Sequence, residues 1–100
     1  MASDLGNLVA PTVHRDGTSL DALLEQLDTA IRAISAAYDA LALAAPNGRD
    51  YYPQGPDAIH TAVRQHYQRA NSLREAHTQL SAIYVHLIDS YLPSPGIEDD

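Results

Sequence analysis

Two stretches of the chain carry apolar residues at seven-residue intervals, and this spacing constrains the fold more than any other feature. In the first stretch, the main row consists of Leu20, Leu27, Ile34 and Leu41. In the second stretch, the corresponding row consists of Ile59, His66, Leu73, Leu80 and Leu87. A row of this kind, with further apolar residues beside it, forms a stripe on one side of an α-helix. The pattern therefore predicts an all-α fold in which two helices pack as an antiparallel, coiled-coil-like hairpin.

Caps and breakers set the expected boundaries of these helices. Either Thr18 or Ser19 can cap the first helix, and Thr18 with Asp21 approximates a capping box. Prolines and glycines separate the two stripes, and we expect the segment between the helices not to be helical. The predicted organisation is a flexible N-terminal arm (1–17), a helical hairpin domain (18–92) and an acidic tail (93–100). Within the hairpin, the predicted parts are a helix over 18–45, a connector over 46–56 and a helix over 57–91.

The stripes are wider than a two-helix hairpin can cover, because two helices bury only one side of each stripe. We therefore expect self-association as a homodimer that completes a four-helix arrangement, or docking on another protein. The candidate self-association residues are Leu27, Ile34, Tyr38, His66, Leu73, His77, Leu80, Tyr84 and Leu87. For His66 and His77, two interpretations remain open. They are partly buried imidazoles with a satisfied hydrogen bond, or they form a pH-sensitive interface.

The charge and hydropathy of the chain limit its partners. A formal net charge of −7 argues against nucleic-acid binding, which needs a basic surface to displace counterions from phosphates. No stretch approaches the roughly 20 consecutive apolar residues of a membrane span. The segment Met1-Ala2-Ser3-Asp4 lacks the basic and apolar regions of a signal peptide. We expect a cytoplasmic protein that binds another protein and does not bind a membrane.

No motif in the chain predicts catalysis or a metal site. The chain contains no Cys, which excludes disulfides and Cys-ligated metals. The histidines of the second helix, His60, His66, His77 and His86, include no pair four residues apart, and neither HExxH nor GxSxG occurs. We therefore expect no enzyme activity, no cofactor and no metal.

The connector is the most distinctive segment, because it places two adjacent aromatic residues beside a charge pair on a constrained turn. Its candidate partner-binding residues are Arg49, Asp50, Tyr51, Tyr52 and Pro53. Tyr51 or Tyr52 can fold back and plug the open end of the hairpin, with its hydroxyl in solvent. The segment can also be an epitope for a partner, because Tyr and Arg are enriched at binding hot spots. Both interpretations hold if one tyrosine points inward and the other outward.

The connector sequence Arg49-Asp50-Tyr51-Tyr52-Pro53-Gln54-Gly55, followed by an Ala- and His-containing helix, resembles small helical-hairpin proteins of phages and prophages. The resemblance covers roughly residues 30–90. It implies a phage or prophage origin and action by binding a host or phage protein, for example as an anti-defence or host-takeover inhibitor. It implies the host cytoplasm as the place of action.

Two alternatives remain beside this interpretation. The size, the acidic charge and the aromatic–glycine turn are similar to WXG100-like secreted hairpins. The segment Tyr52-Pro53-Gln54-Gly55 is, however, one residue longer than a Trp-x-Gly motif. The tail also lacks the Tyr-x-x-x-Asp/Glu export signal, because Ile88 stands four residues after Tyr84 and Pro95 four residues after Tyr91. The other alternative is a structural subunit of a larger assembly.

Overall fold

The computed structural model describes residues 5–92, and the predicted acidic tail lies outside this range. The described part is all-helical and contains no strand. It consists of two long α-helices, α1 (Leu20–Leu43) and α2 (Ala58–Tyr91), joined through a short 3₁₀ helix (Gly48–Gln54). The predicted all-α hairpin is confirmed.

Helix α1 begins one residue after a serine cap. The Ser19 hydroxyl accepts a hydrogen bond from the Ala22 amide at 3.2 Å, so Ser19 caps the helix and Thr18 does not form the capping box. At the other end, the Ala44 amide donates to the Leu41 carbonyl at 2.9 Å, an i to i+3 bond that tightens the last turn. Helix α1 is therefore two residues shorter at each end than the predicted range of 18–45.

The connector is helical in its centre, contrary to the prediction. The Asn47 side chain accepts from the Arg49 amide at 3.0 Å and its carbonyl accepts from the Asp50 amide at 3.0 Å. Seven residues of 3₁₀ helix follow, with Pro53 inside them. A 3₁₀ helix needs only short-range i to i+3 bonds, and a single proline removes one of them, so the composition did not exclude it.

Helix α2 has the boundaries that its flanking residues favour. The Thr61 amide bonds to the Asp57 carbonyl at 3.3 Å, and this bond opens the helix one residue after the predicted start. At its end, the Leu92 amide bonds to the Ile88 carbonyl at 3.0 Å, and the next residue in the sequence is a proline. Because proline has no amide to donate, the sequence favours an end at this point.

The chain divides into two compact units, and each contains a piece of both long helices. The first comprises Met1–Arg32 and Thr78–Asp100, so it joins the first half of α1, the last part of α2 and the N-terminal arm. Within it, the Val13 amide donates to the Tyr91 hydroxyl at 3.1 Å, and Leu5, Leu8 and Val13 are half-buried. The described part of the arm thus has a hydrogen bond to the end of α2, and the flexibility of the arm stays a prediction.

This first unit contains the one fully buried side chain of the described residues, Leu87, with 0% exposure. Three segments contribute to the unit: the arm, α1 and α2. The arm is therefore part of the same compact unit as the most deeply buried residue.

The second unit comprises Ala33–His77, which are the last half of α1, the connector and the first part of α2. The two helical segments run antiparallel, since the connector between them returns the chain. The residues of the heptad rows, such as Ile34, Leu41, His66 and Leu73, are half-buried, and no residue of this unit is fully buried. This unit holds the surfaces that are candidates for binding.

Candidate protein-binding surfaces

The connector turn has a fixed backbone. The Asn47 cap holds its first turn, and the Gly55 amide donates to the Tyr52 carbonyl at 3.2 Å to close its last turn. Gly55 has φ 101° and ψ 169°, a conformation that residues with a Cβ atom avoid. The sequence therefore builds a defined turn at this end of the hairpin, with a cap before it and a glycine after it.

The two connector tyrosines have different environments. Tyr51 is half-buried, whereas the side chain of Tyr52 is 73% exposed. Arg49, Asp50 and Pro53 are also exposed. Tyr52 therefore presents an aromatic ring on a fixed turn between charged and apolar neighbours, while Tyr51 is the less exposed of the two tyrosines.

Two adjoining cavities lie between the helical segments of the second unit. The first has a volume of about 280 Å³ and is lined by Ile34, Ser35, Tyr38, Asp39, Leu73, Arg74 and His77. The second has a volume of about 370 Å³ and is lined by Tyr38, Leu41, Ala42, Ala45, His66, Tyr67, Ala70, Asn71 and Arg74. Because Tyr38 and Arg74 line both cavities, the two form one surface, which we call the groove.

The groove is apolar along its length, with isolated charges. Its largest exposed side chains are Tyr38 and Tyr67, which are 38% and 64% exposed. Its formal charges are one carboxylate on α1, Asp39, and one guanidinium on α2, Arg74. The Arg74 Nη2 donates to Asn71 Oδ1 on its own helix, and no ion pair joins Arg74 to Asp39 in the described part of the chain.

The predicted self-association residues fall into two groups. Ile34, Tyr38, His66, Leu73 and His77 line the groove. Leu27, Leu80 and Tyr84 belong to the other unit and are half-buried there. Leu87 belongs to the same unit and has no accessible surface there, because the chain itself covers this position. Periodicity alone did not reveal this, because a heptad row gives the side of the helix but not how much of that side the rest of the chain covers.

Some groove residues were not predicted as site residues, among them Ser35, Asp39, Tyr67 and Arg74. Asp39 and Arg74 are visible in the sequence as helical charges, but they are 35 residues apart. Their presence on one surface depends on the register of two antiparallel helices, which local periodicity does not contain. The sequence does contain one signal for this surface on α1. Ile34 and Tyr38 stand four residues apart and therefore share a helical face.

The histidines do not gather into a metal site. No group of three or more His, Asp or Glu side chains able to hold a metal occurs within residues 5–92. The rings of His66 and Tyr67 lie with centroids 6.2 Å apart and tilted by 59°. His86 Nε2 lies 3.5 Å from Ser90 Oγ, and its buried Nδ1 has no hydrogen-bond partner among the described residues.

These observations define the class of the molecule as a helical hairpin with an open groove and an exposed, capped turn. None of the helices described is both long enough and apolar enough to cross a membrane. Compared with known protein families, curated proteins and solved structures, the chain matches none of them. Its function must therefore be argued from the surfaces themselves.

Proposed function

We propose that this chain is a non-enzymatic protein-binding module that docks its connector turn on another protein. The observation that carries the proposal is the placement of Tyr52, an aromatic side chain 73% exposed on a turn whose two ends are fixed. A tyrosine held in this way loses little conformational freedom on binding, and its ring supplies apolar area with a polar tip.

The neighbours of Tyr52 support the same surface. Arg49 and Asp50 are exposed in the same turn, and together they offer both signs of charge beside the ring. Interfaces of this kind place an aromatic anchor in a partner's pocket, with charged residues at the rim for orientation. The partner chemistry that fits is a protein pocket that accepts a phenol ring, flanked by groups that complement one acid and one base.

The resemblance of the turn to phage and prophage hairpins favours a host or phage protein in the host cytoplasm as the partner. Inhibition of a host process by occupying such a pocket requires no catalytic group. This agrees with the absence of a recognisable nucleophile–base pair from the sequence.

The test compares two exposed tyrosines on different surfaces. Proteins retained from a host lysate by the tagged chain are identified, and the purified partner is titrated by calorimetry against wild type, Tyr52→Ala and Tyr67→Ala. We expect Tyr52→Ala to raise the dissociation constant about thirtyfold, as for a hot-spot residue, because the ring no longer fills its pocket.

Tyr67→Ala is the matched control, since Tyr67 is 64% exposed but lies in the groove. It is expected to leave the dissociation constant for this partner within about twofold. Equal affinity of wild type and Tyr52→Ala, with both variants folded by circular dichroism, would show that the turn is not the binding element.

A further inference from the structure

We propose that the groove is covered by a second copy of this chain, with α1 of each copy lying antiparallel to α2 of the other and Asp39 of each copy facing Arg74 of its partner. This goes beyond the proposed function, because it concerns a different surface from the connector turn.

The second unit contains no fully buried residue. Its heptad rows remain half-exposed, and Tyr38 and Tyr67 lie open along the groove. In the first unit, the N-terminal arm adds a third segment, and there Leu87 is fully buried. The described arm is bonded through Val13 to Tyr91 in that first unit, so it belongs to a different unit from the groove.

The charge of the groove suits a copy of the same chain. The whole molecule carries a net charge of −7, so two copies repel each other at most orientations. The groove is an exception, since its lining contains one acid and one base and is therefore formally neutral, with both histidines neutral. A strongly basic or acidic partner finds no excess of opposite charge on this surface. A second neutral, apolar groove matches it in both charge and polarity.

A two-fold axis parallel to the helices turns these two charges into a reciprocal pair. Under this symmetry, each α1 faces the α2 of the other copy at the same level, and every contact occurs twice. Asp39 and Arg74 line the same cavity of one chain, so they lie at similar levels along the helices. Asp39 therefore lies within side-chain reach of Arg74 of the partner copy. The four neighbouring helices are then all antiparallel, as in a four-helix bundle.

The first measurement is the mass of the wild-type chain by sedimentation equilibrium. We expect twice the 10.8 kDa of one chain at about 100 μM protein, with dissociation on dilution. A mass of 10.8 kDa at that concentration would overturn the proposal. The Tyr52→Ala variant is expected to dimerise like wild type, so a failure of the proposed connector function does not affect this result.

The decisive experiment uses opposite charge changes in two variants. Asp39→Arg places two arginines on the groove, and Arg74→Asp places two aspartates there. In a homodimer of either variant, both cross-pairs become repulsive, so we expect the dissociation constant of each to rise about tenfold or more. In a heterodimer formed from an equimolar mixture of the two variants, each cross-pair again joins one arginine and one aspartate. We expect a heterodimer with near wild-type affinity, detected by pull-down of one tagged variant with the other.

Two controls carry the same charge changes outside the groove. Glu75→Arg matches Asp39→Arg in net charge, and Arg69→Asp matches Arg74→Asp; both positions are exposed, and neither lines the groove. These controls are expected to dimerise like wild type. Three outcomes would each refute the arrangement. The two groove variants could form homodimers with unchanged affinity, their mixture could stay monomeric, or the controls could weaken the dimer equally.

Discussion

At the scale of single residues, burial is concentrated at one position. Leu87 is fully inaccessible, while the other residues of the heptad rows are half-buried. The free energy that a leucine contributes depends on how completely its surroundings enclose it, because an enclosed site leaves a cavity when the side chain is shortened. Leucines with the same place in the heptad therefore differ in their effect on stability.

We predict that Leu87→Ala lowers the free energy of unfolding by about 3 kcal/mol, because the change removes buried methyl groups and leaves a cavity. Leu43→Ala is the matched control, since Leu43 is 91% exposed at the last residue of α1. Its expected effect is within about 0.5 kcal/mol. Urea denaturation followed by circular dichroism gives both values, and similar losses at the two positions would contradict the burial difference.

At the scale of elements, the hairpin depends on the turn between the helices as much as on the stripes. The Pro and Gly residues of the connector correctly indicated that α1 and α2 are separate helices. The same residues led to the wrong prediction that the connector is not helical. A 3₁₀ turn is decided by a few local bonds, here those of Asn47 and Tyr52, and composition does not record whether such bonds form.

We predict that Gly55→Ala destabilises the protein by about 1 to 3 kcal/mol, because its φ of 101° with an extended ψ strains any residue that has a Cβ atom. Gly48→Ala is the comparison, since the nearest atom to an added Cβ is a Tyr52 ring carbon at 4.0 Å and its φ is not positive. It is expected to change the free energy of unfolding by less than about 0.5 kcal/mol. The ratio of the two effects, measured by thermal unfolding, tests the turn geometry; equal effects would disprove it.

At the scale of the whole molecule, both proposed binding surfaces lie in the second unit, Ala33–His77. This unit carries the groove and the connector turn, and it contains no fully buried residue. The first unit carries the arm and Leu87. If a second copy covers the groove, only folded chains associate. The free energy of unfolding must then depend on protein concentration.

We predict that the unfolding temperature of the wild-type chain rises by about 3 to 6 °C for each tenfold increase in protein concentration, because dimerisation is linked to folding. The Asp39→Arg variant is expected to show a weaker dependence over the same range. Differential scanning calorimetry at several concentrations measures both. A wild-type unfolding temperature that does not change with concentration would count against a dimer that contributes to stability.

The sequence by itself determined the elements of this protein. Apolar residues at seven-residue spacing form a stripe only on a helix, and the prolines and glycines between the two stripes prevent one continuous α-helix, so α1, α2 and the bend between them follow from local rules. The tertiary structure decided which parts of the stripes are covered. It alone shows that the arm is bonded to the end of α2, and that Asp39 and Arg74 border one groove. These features depend on the register between segments distant in sequence, and register is set by packing that no local pattern records.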